Sequence, residues 1–410
     1  MTAKTNETTS KRYVIIGAGI AGVSAAESIH KTDPNAAITL ISNETEPPYF
    51  RMNLTRYLAG ELDKNSLDLH NQAWYQENQI DLRLGATVTD LLPDEKQAIL
   101  ADGSQIPYDT LILTTGAAPF VPPFPGSDLP GVQTVRTIHD ANIILDTCQT
   151  PVQVVCIGGG LLGLEVAGAI ARRGVKVTVL ESLAWLLPRQ LDQPASQILQ
   201  KKIEDMGISV VVGARTQALV GESHVSGVQL EEDRLLPADL VVISAGVTPN
   251  IELARKAGLE LNRGVLVDDQ MRTSNSDVYA AGDVAEHHGR LYGLWAPAKS
   301  QGSIAGFVAA GKEVVFAGDP PSARLKVLGI DLFSIGQFTP QDENDITLTE
   351  EVNGSYASFV FRQDVLIGSI LLGDASLAGK VKSAVDGKKD FSTQLSDGLT
   401  AAGLKELLKG

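Results

Sequence analysis

The 410-residue sequence predicts an α/β fold: two Rossmann-like, three-layer domains followed by a small α+β C-terminal domain. Three observations carry this. A glycine-rich turn, Gly17-Ala18-Gly19-Ile20-Ala21-Gly22, lies between a short apolar run and a stretch of small and apolar residues at helical spacing. The arrangement returns at Gly158-Gly159-Gly160-Leu161-Leu162-Gly163, so what repeats is a whole βαβ unit. Beyond residue 322 the pattern changes to alternating runs and then a helical tail.

The elements follow in order. Residues 13–16 read as a strand, 21–30 as the helix behind it and 38–41 as the next strand. Residues 152–157, 162–172 and 175–180 repeat that sequence of elements. Between the two units runs Pro119-Phe120-Val121-Pro122-Pro123-Phe124-Pro125-Gly126, which reads as an inter-domain crossing because prolines stiffen a connection and are excluded from central strands. A return crossing is expected at Ala245-Gly246-Val247-Thr248-Pro249. The resulting division is a discontinuous first domain, 1–118 and 247–322, a second domain, 119–246, and a third, 323–410. Asp319-Pro320-Pro321-Ser322 opens the third, with strands expected at 325–330, 356–361 and 366–372.

Composition narrows the function. Hydrophobic residues at 43% and charged residues at 20% are ordinary for a globular chain able to bury a large ligand. A formal net charge of -15 argues against nucleic acid and anionic membrane as partners, since both attract basic surfaces. The first eleven residues are polar, and no apolar run reaches the roughly 18 residues of a membrane helix, so cytoplasmic residence is expected. Only Cys148 and Cys156 are present, without metal-ligand spacing, and no metal is expected.

Each glycine-rich turn follows a strand and opens a helix. In that context Gly17 and Gly19 permit a tight turn and close approach of a pyrophosphate, while Gly22 lets the helix pack on the sheet; the helix N-terminus supplies amide donors. Glu44, just past the second strand, is placed to accept the hydroxyls of an adenosine ribose. Gly158, Gly160 and Gly163 repeat the logic, with Glu181 as the acid. A carboxylate there pairs with a free 2′-hydroxyl and repels a 2′-phosphate, and the sequence after it, Ser182-Leu183-Ala184-Trp185, holds no base before Arg189, so NADH is favoured over NADPH.

With these turns on the page the chain resembles the two-dinucleotide-binding-domain flavoproteins, the pyridine nucleotide-disulfide oxidoreductase-like family of glutathione reductase and the ferredoxin reductases. Leu111-Ile112-Leu113-Thr114-Thr115-Gly116 resembles the motif where such chains leave the FAD domain, with Thr114 where alanine is usual. Ser276-Asp277-Val278-Tyr279-Ala280-Ala281-Gly282-Asp283 resembles the second FAD signature, which implies that Asp283 takes a ribityl hydroxyl and that the backbone by Gly282 faces the pyrophosphate. Segments 158–168 (GGGLLGLEVAG), 190–193 (QLDQ), 201–207 (KKIEDMG), 292–297 (YGLWAP) and 325–335 (LKVLGIDLFSI) are similar to NADH:rubredoxin reductases and to the FAD/NAD module of the assimilatory nitrite reductase large subunit. That subunit's iron-sulfur and sirohaem domains need several cysteines, so nitrite reduction by this chain alone is not expected. The resemblance implies FAD and NADH as cofactors, and extends the contacting residues to Ile20, Ala21, Val88, Thr115, Gly116, Leu161, Leu162 and Gly246.

The loop Pro48-Tyr49-Phe50-Arg51-Met52-Asn53-Leu54-Thr55-Arg56 has no cysteine where disulfide reductases of the family place a dithiol, which removes a thiol relay. It is similar instead to the corresponding loop of rubredoxin and ferredoxin reductases. Arg51 and Arg56 are then placed either to stabilise negative charge at the flavin N1 and O2 locus or as solvated surface cations. Glu165 resembles an acid near the nicotinamide, or else it complements its own helix dipole. Leu294-Trp295-Ala296-Pro297 is expected against the isoalloxazine, with a helix from Ala298 aimed at the ring; a packed core tryptophan is the alternative. His287 and His288 read as a solvated pair with no role. The implied reaction is NADH oxidation with electrons leaving to a small rubredoxin- or ferredoxin-type protein, docked on a basic patch drawn from Arg51, Arg56, Lys299 and Lys326. Alternatives are an NADH oxidase, the reductase component of a separate nitrite reductase or oxygenase, and a redox-sensing interaction protein.

Overall fold

The computed structural model describes residues 10–318 and 322–409, at 322–325 as backbone only. Its fold is α/β, with two five-stranded parallel sheets of equivalent order. In the first, Val278–Ala280, Thr110–Leu113, Arg12–Ile16, Ala37–Ile41 and Ile80–Arg83 lie side by side. In the second the order is Val132–Thr134, Leu240–Ile243, Gln153–Ile157, Lys176–Glu181 and Ser209–Val212. The repeat seen in the sequence therefore extends to strand order. In the first sheet the outer strand that breaks chain order, Val278–Ala280, comes from beyond the return crossing; in the second, Val132–Thr134 directly follows the first crossing.

Both sheets are covered on two faces, which is why their central strands are continuous apolar runs: Val14, Ile15, Val154, Val155 and Leu240 are all buried. The helices Ile20–Thr32 and Leu161–Ala171 follow the central strand of each sheet and start inside the glycine turns, one residue past Gly19 and Gly160. The crossings pair with one another: Ala117–Pro119 runs antiparallel to Val247–Pro249 as a two-stranded ribbon. Such a ribbon tolerates proline because neither strand is central. Two three-stranded antiparallel sheets that periodicity did not reveal, at 88–107 and 216–237, occupy equivalent places in the two units.

The third part is a five-stranded antiparallel sheet in the order Ser322–Val327, Ile330–Gly336, Val365–Leu372, Ser355–Arg362 and Ile346–Val352, with a core of Phe333, Phe359, Phe361 and Phe391 under its C-terminal helices. The expectation of one strand over 325–330 is corrected: the chain reverses at Leu328 (φ +50°) and Gly329 (φ +85°), so those residues form a hairpin tip. A continuous apolar run hides such a reversal. Of the tetrapeptide expected to open this part, residues 319–321 lie outside the described residues, as do residues 1–9 of the polar first eleven. The sheet packs on the second parallel unit, where Val327, Leu328, Leu332 and Ile370 share a core with Leu164, Ala167 and Ile170. Among the described residues no helix is long and apolar enough to cross a membrane.

Candidate dinucleotide and electron-transfer site

The two glycine turns are built alike. Gly17 and Gly158 have φ of +108° and +120°, and a Cβ on either would meet a backbone carbonyl, Thr114 O at 2.2 Å or Ser244 O at 2.4 Å. A Cβ on Gly22 or Gly163 would sit 2.0 Å from the carbonyl oxygen of Gly17 or Gly158. Gly19 and Gly160, each capping its helix, have nothing within 4 Å of that position. Two glycines of each turn are thus required by the fold, and the middle one faces open space at a helix N-terminus. A backbone that lets an anionic group come to van der Waals contact there fits a pyrophosphate. Ile20, Ala21, Leu161 and Leu162 form the first turns of these helices, with Leu162 exposed.

The acids of the two units are held differently. Glu181 is buried and accepts the backbone N–H of Gly159 through Oε2 and of Leu183 through Oε1, both at 2.8 Å. Glu44 is held by side chains: Tyr49 donates to Oε2 at 2.7 Å and Arg51 pairs with Oε1 at 2.5 Å. Burial raises the Tyr49 phenol above its usual range. Arg51 also donates to the Tyr49 hydroxyl at 2.9 Å and to the Arg136 carbonyl. Arg136 in turn pairs with Asp283 at 3.0 Å, so one polar chain runs from Glu44 through Arg51 to Arg136 and Asp283. Arg136 was missed by sequence reasoning. Its signal was the capping box that follows, Thr137 and Asp140, which marks a helix start with a cation just outside it.

Thr114 has a use that alanine would lack. Its hydroxyl lies 2.7 Å from Gly17 O and 3.1 Å from Ile16 O and ties the exit strand to the first glycine turn. Thr115 and Gly116 follow at the ribbon, where Thr115 donates to Asn250 O and the Asn250 amide answers to Thr115 O. Gly246, at φ +110°, opens the return crossing. Val88 is a buried strand residue, and Gly282 lies against Ala21.

Arg51 and Arg56 stand in different surroundings. Arg56 pairs with Glu61 at 3.1 Å, and Arg172 joins the same carboxylate. These residues, with Glu165, Lys326 and Leu328, line a cleft of about 390 Å3 between the first unit, the second and the hairpin tip. Glu165 accepts the Leu328 backbone N–H at 2.8 Å, a contact no local pattern signals; burial raises its pKa, against that hydrogen bond. The helix expected from Ala298 begins instead at Trp295, because Leu294 is extended and turns the chain three residues sooner. Trp295 is half-buried, stacks on Phe50 at 6.2 Å and lies under the Lys299 ammonium; its buried Nε1 has no partner among the described residues. An indole donor left over in this way fits a bound group with acceptors. Ala296 beside it is exposed.

Neither cysteine offers a relay. Cys156 is fully buried in the second sheet with its thiol pushed up to about 12, and Cys148 caps the helix Ile138–Thr147, its thiol also raised by burial. The reading of His287 and His288 as a solvated pair is corrected: His287 is 2% exposed, and both rings contact Asp269.

A family model for pyridine nucleotide-disulphide oxidoreductases matches residues 11–302, and one for the rubredoxin NAD+ reductase C-terminal domain matches 321–389. The chain is 36% identical to a nitrite reductase [NAD(P)H] of Bacillus subtilis over 93% of its own length and 48% of that protein, so it spans about half of that relative. It is 30% identical to the NADH-rubredoxin oxidoreductase of Clostridium acetobutylicum over 93% of its length and 96% of that protein. The crystal structure of the latter superposes with a TM-score of 0.84, covering 97% of this chain and 99% of that one at 29% identity.

Proposed function

The chain belongs to the pyridine nucleotide-disulphide oxidoreductase family, and from that premise we propose that it oxidises NADH and delivers electrons singly to a small rubredoxin- or ferredoxin-type protein. FAD, when bound, supplies the step from hydride to single electrons. The observation that carries this reading is the pair of equivalent turns, each with its middle glycine open at a helix N-terminus and an acid at or just past the end of the next strand. The 48–56 loop beside Trp295 holds no cysteine, Cys156 is buried in the second sheet and the half-buried Cys148 caps the helix Ile138–Thr147, which supports direct exit of electrons from the flavin.

In this reading residues 1–118 and 247–322 hold FAD, 119–246 hold NADH, and 323–410 complete the acceptor face. Glu44 receives the FAD ribose and Glu181 that of NADH, while Asp283 and Arg136 face the ribityl and pyrophosphate region. Trp295 orients the ring, and Glu165 borders the nicotinamide from the cleft that Arg56 and Lys326 open to solvent. The Arg51 guanidinium is committed to Glu44, whereas Arg56 and Arg172 share the single carboxylate of Glu61 and keep one excess positive charge, to which Lys299 and Lys326 add for an acidic partner. NADH and such proteins share the cytoplasm, where we place the reaction.

Anaerobic stopped-flow at the flavin band tests the donor: NADH should bleach it faster than NADPH, and equal rates would remove the assignment. For the acceptor, reduction of rubredoxin should fall steeply with ionic strength. A second reading, delivery to a separate nitrite-reducing unit, is favoured by the likeness to the nitrite reductase and is supported instead if rubredoxin and ferredoxin are reduced no faster than a small dye.

A further inference from the structure

In the first unit, residues 285–290 hold a cluster the proposed reaction does not use. Along a strand, neighbouring side chains point to opposite faces, so consecutive histidines would ordinarily part company. Here the chain turns over between them. His287 and Arg290 exchange backbone hydrogen bonds at 3.0 and 2.9 Å, and the two residues between, His288 and Gly289, both have positive φ, +48° and +71°. This is the tight hairpin turn that Asn-Gly fits best. His at its first central position is not what the turn asks for.

The reversal brings both imidazoles to one atom. His287 Nε2 lies 2.8 Å and His288 Nε2 2.7 Å from Asp269 Oδ1, with the two rings 4.2 Å apart. Asp269 comes from the loop after Val265–Val267, the strand paired with Ala285–His287, so its place opposite the hairpin is set by the fold. His287 is 2% exposed, packed edge-on to Phe316 at 5.2 Å, and its Nδ1 has no partner among the described residues. Asp269 and His288 are open to water, at 55% and 70% side-chain exposure. The neighbouring carboxylate, Glu286, is turned inward to Asn262, Arg263 and Gly264 and takes no part.

We propose that Asp269, His287 and His288 form a binding site for a borderline divalent transition metal such as zinc or nickel. Two imidazoles and one carboxylate suit that class rather than calcium or magnesium, which take oxygen ligands. The three ligand atoms lie within 4.8 Å of one another. Bonds of about 2.0–2.1 Å set ligand atoms roughly 3 Å apart, so a small outward shift of the exposed carboxylate admits the ion. The remaining positions open to solvent. The ion closes the hairpin onto the Asp269 loop, outside the electron path.

The test uses the flavin-loaded full chain, stripped with EDTA and titrated with Zn2+ and separately with Ni2+ by calorimetry, beside His288→Asn, Asp269→Asn and His139→Ala. One equivalent should bind to the parent and to the His139→Ala control, which lacks an exposed histidine elsewhere. Affinity should fall at least tenfold in His288→Asn and Asp269→Asn. His288→Asn supplies the residue the turn prefers, so without metal it should melt no lower than the parent, and NADH oxidation should not change. Binding to His288→Asn as tight as to the parent, no binding to the parent, or equal loss in His139→Ala each overturns the proposal.

Discussion

Alanine at Gly160 and alanine at Gly163 should have opposite consequences, although both add one methyl to the same glycine turn. At Gly160 the backbone, φ -78° and ψ 175°, is one that alanine adopts freely, and the new Cβ meets nothing within 4 Å. Losing glycine at an N-cap costs a few tenths to about 1 kcal/mol, and the stiffer unfolded chain returns about 0.4–1, so stability should stay within about 1 kcal/mol of the parent. At Gly163 the Cβ would lie 2.0 Å from the Gly158 carbonyl oxygen. Backbone against backbone leaves no rotamer to relieve it, and overpacking of this kind costs about 1–3 kcal/mol or more. For the cofactor the ranking reverses. The methyl of Gly160→Ala stands where a pyrophosphate would meet the helix amides; forfeiting one charge-assisted hydrogen bond at about 1.5–3 kcal/mol weakens NADH by roughly 10- to 150-fold. Thermal melts with equilibrium NADH titration of the flavin-loaded protein separate the two effects. Gly160→Ala binding NADH within threefold of the parent, or Gly163→Ala melting with it, would falsify the division of labour.

Three further perturbations follow from single contacts. Glu165→Gln keeps an acceptor for the Leu328 N–H but removes a carboxylate whose pKa burial raises; wild-type stability from a raised acid is complete below the ordinary carboxylate range and is lost as pH climbs through the folded value, so the variant should match the parent near pH 4 and melt above it at pH 8. A lower melting point at pH 8 would show that the charge itself holds the hairpin. Thr114→Ala removes the hydroxyl that ties the exit strand to Gly17 and should cost about 1 kcal/mol by denaturant titration, with FAD retained; no loss would mean that the bond counts for nothing. Alkylation with iodoacetamide at pH 8 should leave NADH turnover intact, because both thiols are raised by burial; stoichiometric inactivation would point to a cysteine in the electron path.

The opening strand, helix and strand of each parallel unit were legible because these strands are buried on both faces and therefore read as continuous apolar runs, and because the glycine turns punctuate them. Legibility failed where structure depends on partners distant in sequence. Arg136 means little in isolation and becomes informative only when Asp283, 147 positions away, lies against it. The Leu328 turn disappears inside an apolar run, and its contact with Glu165 spans 163 positions. His287 and His288 were misjudged for a local reason: a histidine pair beside a glycine reads as a solvated turn, and only the strand pairing of Ala285–His287 with the positive φ at His288 brings both rings to Asp269.

The duplicated turns also differ in a way that bears on the proposed roles. Glu181 is held by two backbone N–H groups, one of them within its own glycine turn, so its carboxylate is oriented before any ligand arrives and needs no side chain to move. That suits a cofactor exchanged at every turnover, since little reorganisation opposes binding or release. Glu44 is held by Tyr49 and Arg51, whose further contacts reach the Arg136 carbonyl and so the polar chain to Asp283. A ligand that engages Glu44 and Asp283 at once is gripped at both ends of one network, and to leave it must break both. Retention then comes from linkage between distant contacts rather than from any single strong one, which suits the cofactor that stays.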